Sequence, residues 1–335
     1  MKKVINQEAA IVDEMIEGFI AAYSNDYKKV PDVKGITYKH SSPDKVGIVI
    51  GGGTGHEPLF IGAAGEGLAD GVALGNVFAA PTPDTILEVT KSVDQGKGVL
   101  YIYGNYAGDV LNFDVASELA EVEDIDTETV QVTDDVVSAE EKEERRGIAG
   151  DMFVLKIAGG AAASGLPLSE VKRLTAKAND NLFSIGVGLS PGTSPGKTEP
   201  MFELPEDEIE YGLGIHGEKG IRRSKMKPAD ELTTELLEEL QKVAGLQSDE
   251  EVAVLINGLG KTTLMELFIV NRKVQQWCEE RNINVYDTDV NSYCTTQDMG
   301  GFSITFMKLD DELKKYFDVP AASPYYTRAN RGESE

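Results

Sequence analysis

Two of the chain's three histidines stand among glycines: His56 follows Gly51-Gly-Gly-Thr-Gly55, and His216 lies within Gly212-Leu-Gly-Ile-His-Gly-Glu-Lys-Gly220. A loop histidine flanked by glycines has little core to satisfy, and a neutral imidazole can act as base, metal ligand or nucleophile. His40, beside Lys39 and Ser41, reads as a solvated surface residue. Asp109 follows Gly104-Asn-Tyr-Ala-Gly108 and is a candidate acid/base group, its plainer reading being a helix N-cap. No third or fourth ligand stands at metal-binding spacing from either histidine, so no metal site is expected. The residues Gly53, Thr54 and Gly55 have the composition of a backbone that approaches a ligand closely and offers it converging amides.

Two phosphate-loop readings fall away. Gly51-x-Gly53 has His56 where the dinucleotide fingerprint needs its third glycine. In Val254-Leu-Ile-Asn-Gly-Leu-Gly-Lys-Thr-Thr263, Leu255 stands where the first glycine of a nucleotide loop belongs, and the loop is too short to cradle two phosphates. It reads as a strand-to-helix turn, and intrinsic ATP binding is not expected.

The elements that must position these residues alternate. Val46 to Ile50 is a short β-branched run that reads as a doubly buried strand. Further strands are expected at 71–75, 98–103 and 129–133, and helices at 8–23, 83–93 and 149–164. Such alternation indicates a doubly wound α/β layer with ligands at the carboxyl ends of its strands, where the stretches 51–56 and 104–109 would face one crevice. The breaker cluster Pro191-Gly-Thr-Ser-Pro-Gly-Lys-Thr-Glu-Pro200 lies near a domain junction. Beyond it, 208–216 reads as a strand entering another Gly-rich turn, strands are expected at 252–256, 284–290 and 302–307, and helices at 227–244, 262–281 and 310–317. The fold class is α/β in two domains: 1–182, a three-layer α/β/α sheet, and 183–335, a smaller mixed α/β domain carrying His216. The tail after about 315 is expected to return to the first domain.

At 335 residues two domains are the natural division. The net charge of −25 disfavours direct contact with nucleic acid or an anionic membrane. Cys278 and Cys294 form neither a metal-ligand spacing nor a disulfide framework, which fits a reduced cytoplasm. The start Met-Lys-Lys-Val-Ile-Asn lacks the apolar core of a signal peptide, and no stretch approaches membrane-spanning length.

Taken in order, Gly51–Pro58, Gly104–Phe113, Arg145–Gly150, Leu189–Pro191, Gly212–Arg222, Asn257–Gly260, Met299–Thr305 and Lys308–Leu313 resemble the substrate-binding subunit of the dihydroxyacetone kinases, from about Met1 to about Tyr326. The resemblance implies a cytoplasmic two-domain homodimer that holds dihydroxyacetone, or another short ketose, as a covalent hemiaminal on His216. It implies that His56 and Asp109 hydrogen-bond the accepting hydroxyl, Asp109 being the base, and that backbone around Gly53, Thr54 and Gly55 lines the pocket. No cofactor would be bound by this chain. ADP and Mg would belong to a separate nucleotide-binding kinase subunit, recharged by a phosphotransferase-system protein. Two residues depart from the family pattern: Gly104 stands where a lysine is usual and Ala80 where a serine is usual. The family also holds non-kinase paralogues that keep the covalent histidine and act as coactivators of a transcriptional regulator, which is the alternative reading.

Overall fold

The computed structural model describes residues 2–329. The chain divides into two compact units, one made of Lys2–Val132, Asp151–Ala178 and the segment from Asp311 on, the other of Thr133–Gly150 and Asn179–Asp310. The later division thus falls at 178/179 rather than 182/183, and Thr133–Gly150 goes with the second unit. Hydrogen bonding explains this: Ser184 donates its amide to the Asp134 carbonyl at 2.7 Å and accepts from the Val136 amide at 3.0 Å.

In the first unit, α1 (Ile11–Ala22) precedes β1 (Tyr27–Lys29), β2 (Gly35–Tyr38), β3 (Gly47–Thr54) and β4 (Gly71–Val77); α2 (Pro83–Val93), β5 (Val99–Gly104), α3 (Ala107–Val122), β6 (Thr127–Val132), α4 (Asp151–Ala163) and α5 (Leu168–Asp180) follow. Six strands form one sheet in the order β1-β2-β4-β3-β5-β6. β3 lies parallel to both β4 and β5, and β5 parallel to β6, whereas β1 and β2 form an antiparallel edge that sequence periodicity does not reveal. Every residue of β3 is buried, as expected of a central parallel strand. Alternate residues serve opposite faces: Val49, Tyr101 and Tyr103 join Ile86 and Val89 of α2 and Phe113 of α3 in one cluster. α4, buried from Asp151 to Ala162, packs against β3 and β5. This is the doubly wound α/β/α arrangement.

The second unit holds β7 (Leu182–Ser190), β8 (Glu208–Tyr211), β9 (Arg222–Lys225), α6 (Ala229–Ala244), β10 (Glu251–Gly258), α7 (Leu264–Glu280), β11 (Asn284–Asn291) and β12 (Gly300–Leu309). Its six-stranded sheet runs β11-β10-β12-β7-β8-β9, mixed in direction, with only β10 and β11 parallel. Leu232, Leu236 and Leu240 of α6 and Leu267, Val274 and Trp277 of α7 pack with Ile185, Val254 and Ile304 in one core. The strand expected to enter a Gly-rich turn within 208–216 runs from Glu208 to Tyr211, where Gly212 takes a positive φ of 71° and turns the chain.

The chain then returns to the first unit as α8 (Asp311–Phe317). Glu312 of α8 pairs with Arg173 and Lys177 of α5, each at 2.6 Å. Fully buried Lys156 of α4 donates to the Tyr316 carbonyl at 3.0 Å. Burial pulls the Lys156 ammonium down to about 7, Arg328 adds to the depression, and Asp318 opposes it. The unfolded chain therefore holds a proton that the folded chain releases between about pH 7 and 10, so stability rises with pH across that window. Lys156→Met is expected to be more stable than the parent near pH 7 by a few kcal/mol, at about 1.4 kcal/mol per pKa unit, and to lose this slope. Urea titrations at several pH values between 6 and 10 check it; equal slopes would refute the assignment.

Candidate functional site

The first unit brings His56 and Asp109 to the same end of its sheet. β3 and β5 are parallel neighbours in register from Gly47↔Val99 to Ile50↔Ile102, so the residues following them emerge on one edge. β3 runs through all three glycines: Gly52 pairs with Leu74 and Thr54 with Val77, so the stretch expected as loop at 51–54 is strand and the turn begins at Gly55. Gly53 and Gly55 make room for the turn that follows β4. A Cβ on Gly53 would lie 2.7 Å from the Ala79 amide nitrogen, and one on Gly55 (φ 104°) 2.6 Å from the Phe78 ring. Their absence of a side chain thus serves close packing as well as any ligand. Thr54 is buried, and its carbonyl accepts from the Phe78 amide at 2.8 Å.

His56 is almost wholly buried, its ring 5.1 Å from that of Phe78. Phe60 and Phe78, both after His56 in sequence, hold left-handed backbone at φ 66° and 55°, costly for a bulky residue. Glu57 accepts from the Gly55 amide at 2.9 Å; burial pushes its carboxyl above the usual range, and backbone amides pull it partly back.

Asp109 is the third residue of α3, after the N-cap residue Tyr106, whose side chain makes no capping bond. Asp109 is therefore not the N-cap. Its carboxylate sits in the first helical turn, where the amide ends of the helix favour the anion. Gly104 ends β5, buried, and its carbonyl accepts from the Tyr106 amide at 2.8 Å. Half-buried Ala80 borders a cleft of about 540 Å³ that is also lined by Lys34, Asn76 and Thr82.

His216 belongs to the second unit, on the turn between β8 and β9. Its amide donates to Glu218 Oε2 at 2.9 Å and its Nδ1 lies 3.4 Å from Glu218 Oε1. Arg146 braces this turn: its guanidinium donates to the Gly212 carbonyl at 3.0 Å and to Asp135 at 2.8 Å, and it stands 3.7 Å from Glu218. Gly214 leaves the space that Glu218 and Arg146 occupy, since a Cβ there would collide with both. Thr296 anchors the turn from below by donating to the Ile215 carbonyl at 2.6 Å. Burial pushes the Glu218 carboxyl up, but the hydrogen bond and charge of His216, with Arg146 behind them, hold it down at about 2. Burial pushes Asp135 up to about 6 against the pull of Arg146. Asp134 accepts from the Ile148 and Gly150 amides at 2.7 and 2.9 Å, which fixes the stretch 145–150 that presents Arg146.

A carboxylate facing Nδ1 favours the tautomer that carries its proton on that nitrogen. Sequence reading did not single out Glu218, Arg146 or Asp135. Glu218 stands two residues after the histidine inside the same glycine run and Arg146 inside the Arg145–Gly150 stretch, whereas Asp135 had no signal in the sequence. Among the described residues no group of three or more His, Cys, Asp or Glu is placed to hold a metal, and no helix is long and apolar enough to cross a membrane. The turn at 258–263 has its amides engaged: Leu259 donates to Gly301, Lys261 to Met299, and Thr263 to Glu266 in a capping box.

The fold and these residues define a two-unit α/β protein with a carboxylate-oriented histidine in one unit and a histidine and an aspartate at parallel strand ends in the other. The Dak1 domain model matches residues 17–325, and the chain belongs to that family. It is 44% identical over 328 residues, 97% of this chain and 99% of the other, to the dihydroxyacetone-binding subunit of PTS-dependent dihydroxyacetone kinase 2 from Listeria innocua serovar 6a. It is 39% identical to an L-erythrulose kinase of Pectobacterium atrosepticum, covering all of this chain and 58% of that one. Among solved structures it is similar to the dihydroxyacetone kinase operon co-activator Dha-DhaQ, with a TM-score of 0.89 at 30% identity over 94% of this chain and 98% of that one.

Glu218→Gln keeps a polar partner for the ring but removes the charge. Because the folded Glu218 is depressed to about 2 from 4.5, its stabilisation is present above about pH 4.5 and lost as pH falls toward 2. Glu218→Gln should lack that part of the acid loss. Parallel acid titrations of parent and variant, followed by circular dichroism, check it; superimposable curves would show that Glu218 does not act this way.

Proposed function

We propose that this chain is the ketose-binding subunit of a phosphotransferase-dependent dihydroxyacetone kinase. The observation that carries the reading is the Glu218 carboxylate 3.4 Å from Nδ1 of His216, in a chain of this family that also keeps His56 and Asp109. Nε2 adds to the substrate carbonyl carbon; the C–N bond forms, the carbonyl π bond breaks onto oxygen, and that oxygen takes a proton from water. The positive charge left on the ring is met by Glu218. An alcohol has no carbonyl to add to, so ketoses are captured and glycerol is not. Asp109, supported by His56, then accepts the proton of the terminal hydroxyl as that oxygen attacks phosphorus. The phosphoryl donor is ADP-bound on a separate Mg-containing subunit, recharged by a phosphotransferase-system protein, and this chain supplies no cofactor. It acts as a homodimer in the cytoplasm, a setting suited to the buried free thiols Cys278 and Cys294.

Gly104 and Ala80 remove a cation and a hydroxyl from the expected pocket lining, which directs attention to four-carbon ketoses as well as dihydroxyacetone. A relative that phosphorylates L-erythrulose supports including them. The same departures, with the likeness to the operon co-activator, favour a second reading in which the chain binds ketose and acts on a transcriptional regulator without turnover.

Intact-mass spectra with dihydroxyacetone are expected to show the adduct, and His216→Ala to lose it. With a nucleotide subunit present, Asp109→Asn is expected to keep the adduct and lose about 10²–10⁴-fold in turnover. A panel of three- and four-carbon ketoses separates the two readings: phosphorylated product for at least one supports the kinase subunit, and binding without turnover across the panel supports the coactivator. An unmodified His216 at saturating ketose overturns both.

A further inference from the structure

The run Asn257-Gly-Leu-Gly260, too short to cradle two phosphates, grips a neighbouring loop instead. Asn257, near the end of β10, is wholly buried. Its side-chain oxygen accepts from the amides of Tyr293 and Cys294 at 2.8 and 2.9 Å, and its Nδ2 donates to the Cys294 carbonyl at 2.8 Å. Two residues on, the Leu259 carbonyl accepts from the Thr296 amide at 2.8 Å. Gly260, at φ 128°, passes so close to this loop that a Cβ there would lie 2.1 Å from the Gln297 carbonyl oxygen. A buried amide side chain that meets three backbone groups of one loop fixes that loop, since each bond lost would leave a buried polar group unpaired. Thr296 is seated accordingly: it is wholly buried, with its amide on Leu259 and its carbonyl accepting from the Met299 amide at 3.0 Å.

The Thr296 hydroxyl carries this fixation to His216. It donates to the Ile215 carbonyl at 2.6 Å, and the other pole of the same peptide unit, the His216 amide, donates to Glu218 Oε2 at 2.9 Å. A peptide unit is planar, so gripping its oxygen and its N–H from opposite sides fixes the plane. Rotation about the N–Cα bond of His216 is then the freedom that remains on that side of the ring's attachment. Without the hydroxyl the plane is held at one pole and can tilt, and the ring tilts with it. Placement errors of about 1 Å at a reacting atom cost on the order of 100-fold in rate. We propose that Thr296, held by Asn257 and Leu259, is a positioning residue for ketose capture, fixing the peptide plane from which the His216 ring is aimed. The inference rests on the reading of His216 as the ketose-capturing residue. Thr296 acts through the Ile215–His216 peptide rather than on the ketose.

The test uses the full chain and dihydroxyacetone. Thr296→Val keeps the shape of the side chain and removes the hydroxyl. Its rate of adduct formation on His216, followed by intact mass at fixed ketose, is expected to fall roughly tenfold or more. Thr296→Ser returns the hydroxyl and should bring the rate back to nearly that of the parent. Thr233→Val, the same exchange at a wholly buried position of α6, serves as control and should change nothing. Ring NMR without ketose supplies a readout that a loss of stability alone does not move. The chain has three histidines, so in Thr296→Val the His216 signal should shift while those of His40 and His56 stay. Thermal melts establish that the variants are folded at the assay temperature, and Thr296→Ala carries the same expectation should the valine variant not fold. An adduct rate equal to the parent's overturns the positioning role and leaves His216 as the capturing residue. A slowed rate with an unmoved His216 signal, or one that serine does not recover, assigns the effect to packing and overturns the role too. A parent chain that forms no adduct at saturating ketose overturns the ketose reading and this inference with it.

Discussion

The first unit depends on one constraint, the parallel pairing of β3 with β4 on one side and β5 on the other. Parallel strands that share a register end at the same edge, and whatever residues follow them are gathered there regardless of their distance in sequence. Burial makes the pairing obligatory. All eight residues of β3 are inaccessible, and every backbone amide and carbonyl left unpaired in such a strand would cost free energy comparable to a lost hydrogen bond. His56 and Asp109 are thus brought to one edge by hydrophobic burial and backbone pairing, without any direct contact between them being needed.

Charge does in the second unit what pairing does in the first. The turn carrying His216 buries Leu213 and Ile215, and Arg146 adds a charged brace to it, reaching the Gly212 carbonyl while held by Asp135 and facing Glu218. Removing one member of such a partly buried set would leave the others with uncompensated charge, which is why the set acts as one part. Asp134 extends it by gripping the amides of Ile148 and Gly150, so the Arg145–Gly150 stretch is the mount for the brace. The same arrangement that shapes the turn also orients the imidazole, since Glu218 serves both the His216 amide and its Nδ1.

Glycines around His56 have a double purpose. They allow the backbone to come close to a ligand, yet the structure shows what already needs the space: Phe78, the Ala79 amide and the ring of Phe60. Two aromatic residues held at positive φ beside a buried histidine make a stiff wall.

Much of this was determined by sequence alone. The β-branched run at 46–50, the glycine-set histidines and the helix at 83–93 follow from burial, backbone freedom and capping, all of which act over a few residues. The rejection of 254–263 as a nucleotide loop was legible too, from a single leucine where a glycine belongs. Tertiary structure decided what depends on partners distant in the chain. The antiparallel edge of β1 and β2 lacks a distinctive period, and its pairing with β4 exists only once the central sheet has formed. The three glycines at 51–53 are strand because Leu74 and its neighbours lie beside them, which local propensity argues against. Asp109 is inside its helix rather than capping it because the chain turns at Tyr106. Arg146 and Asp135 became part of the His216 turn only through contacts spanning dozens of residues, and electrostatic pairing of that kind leaves no periodic trace in a sequence.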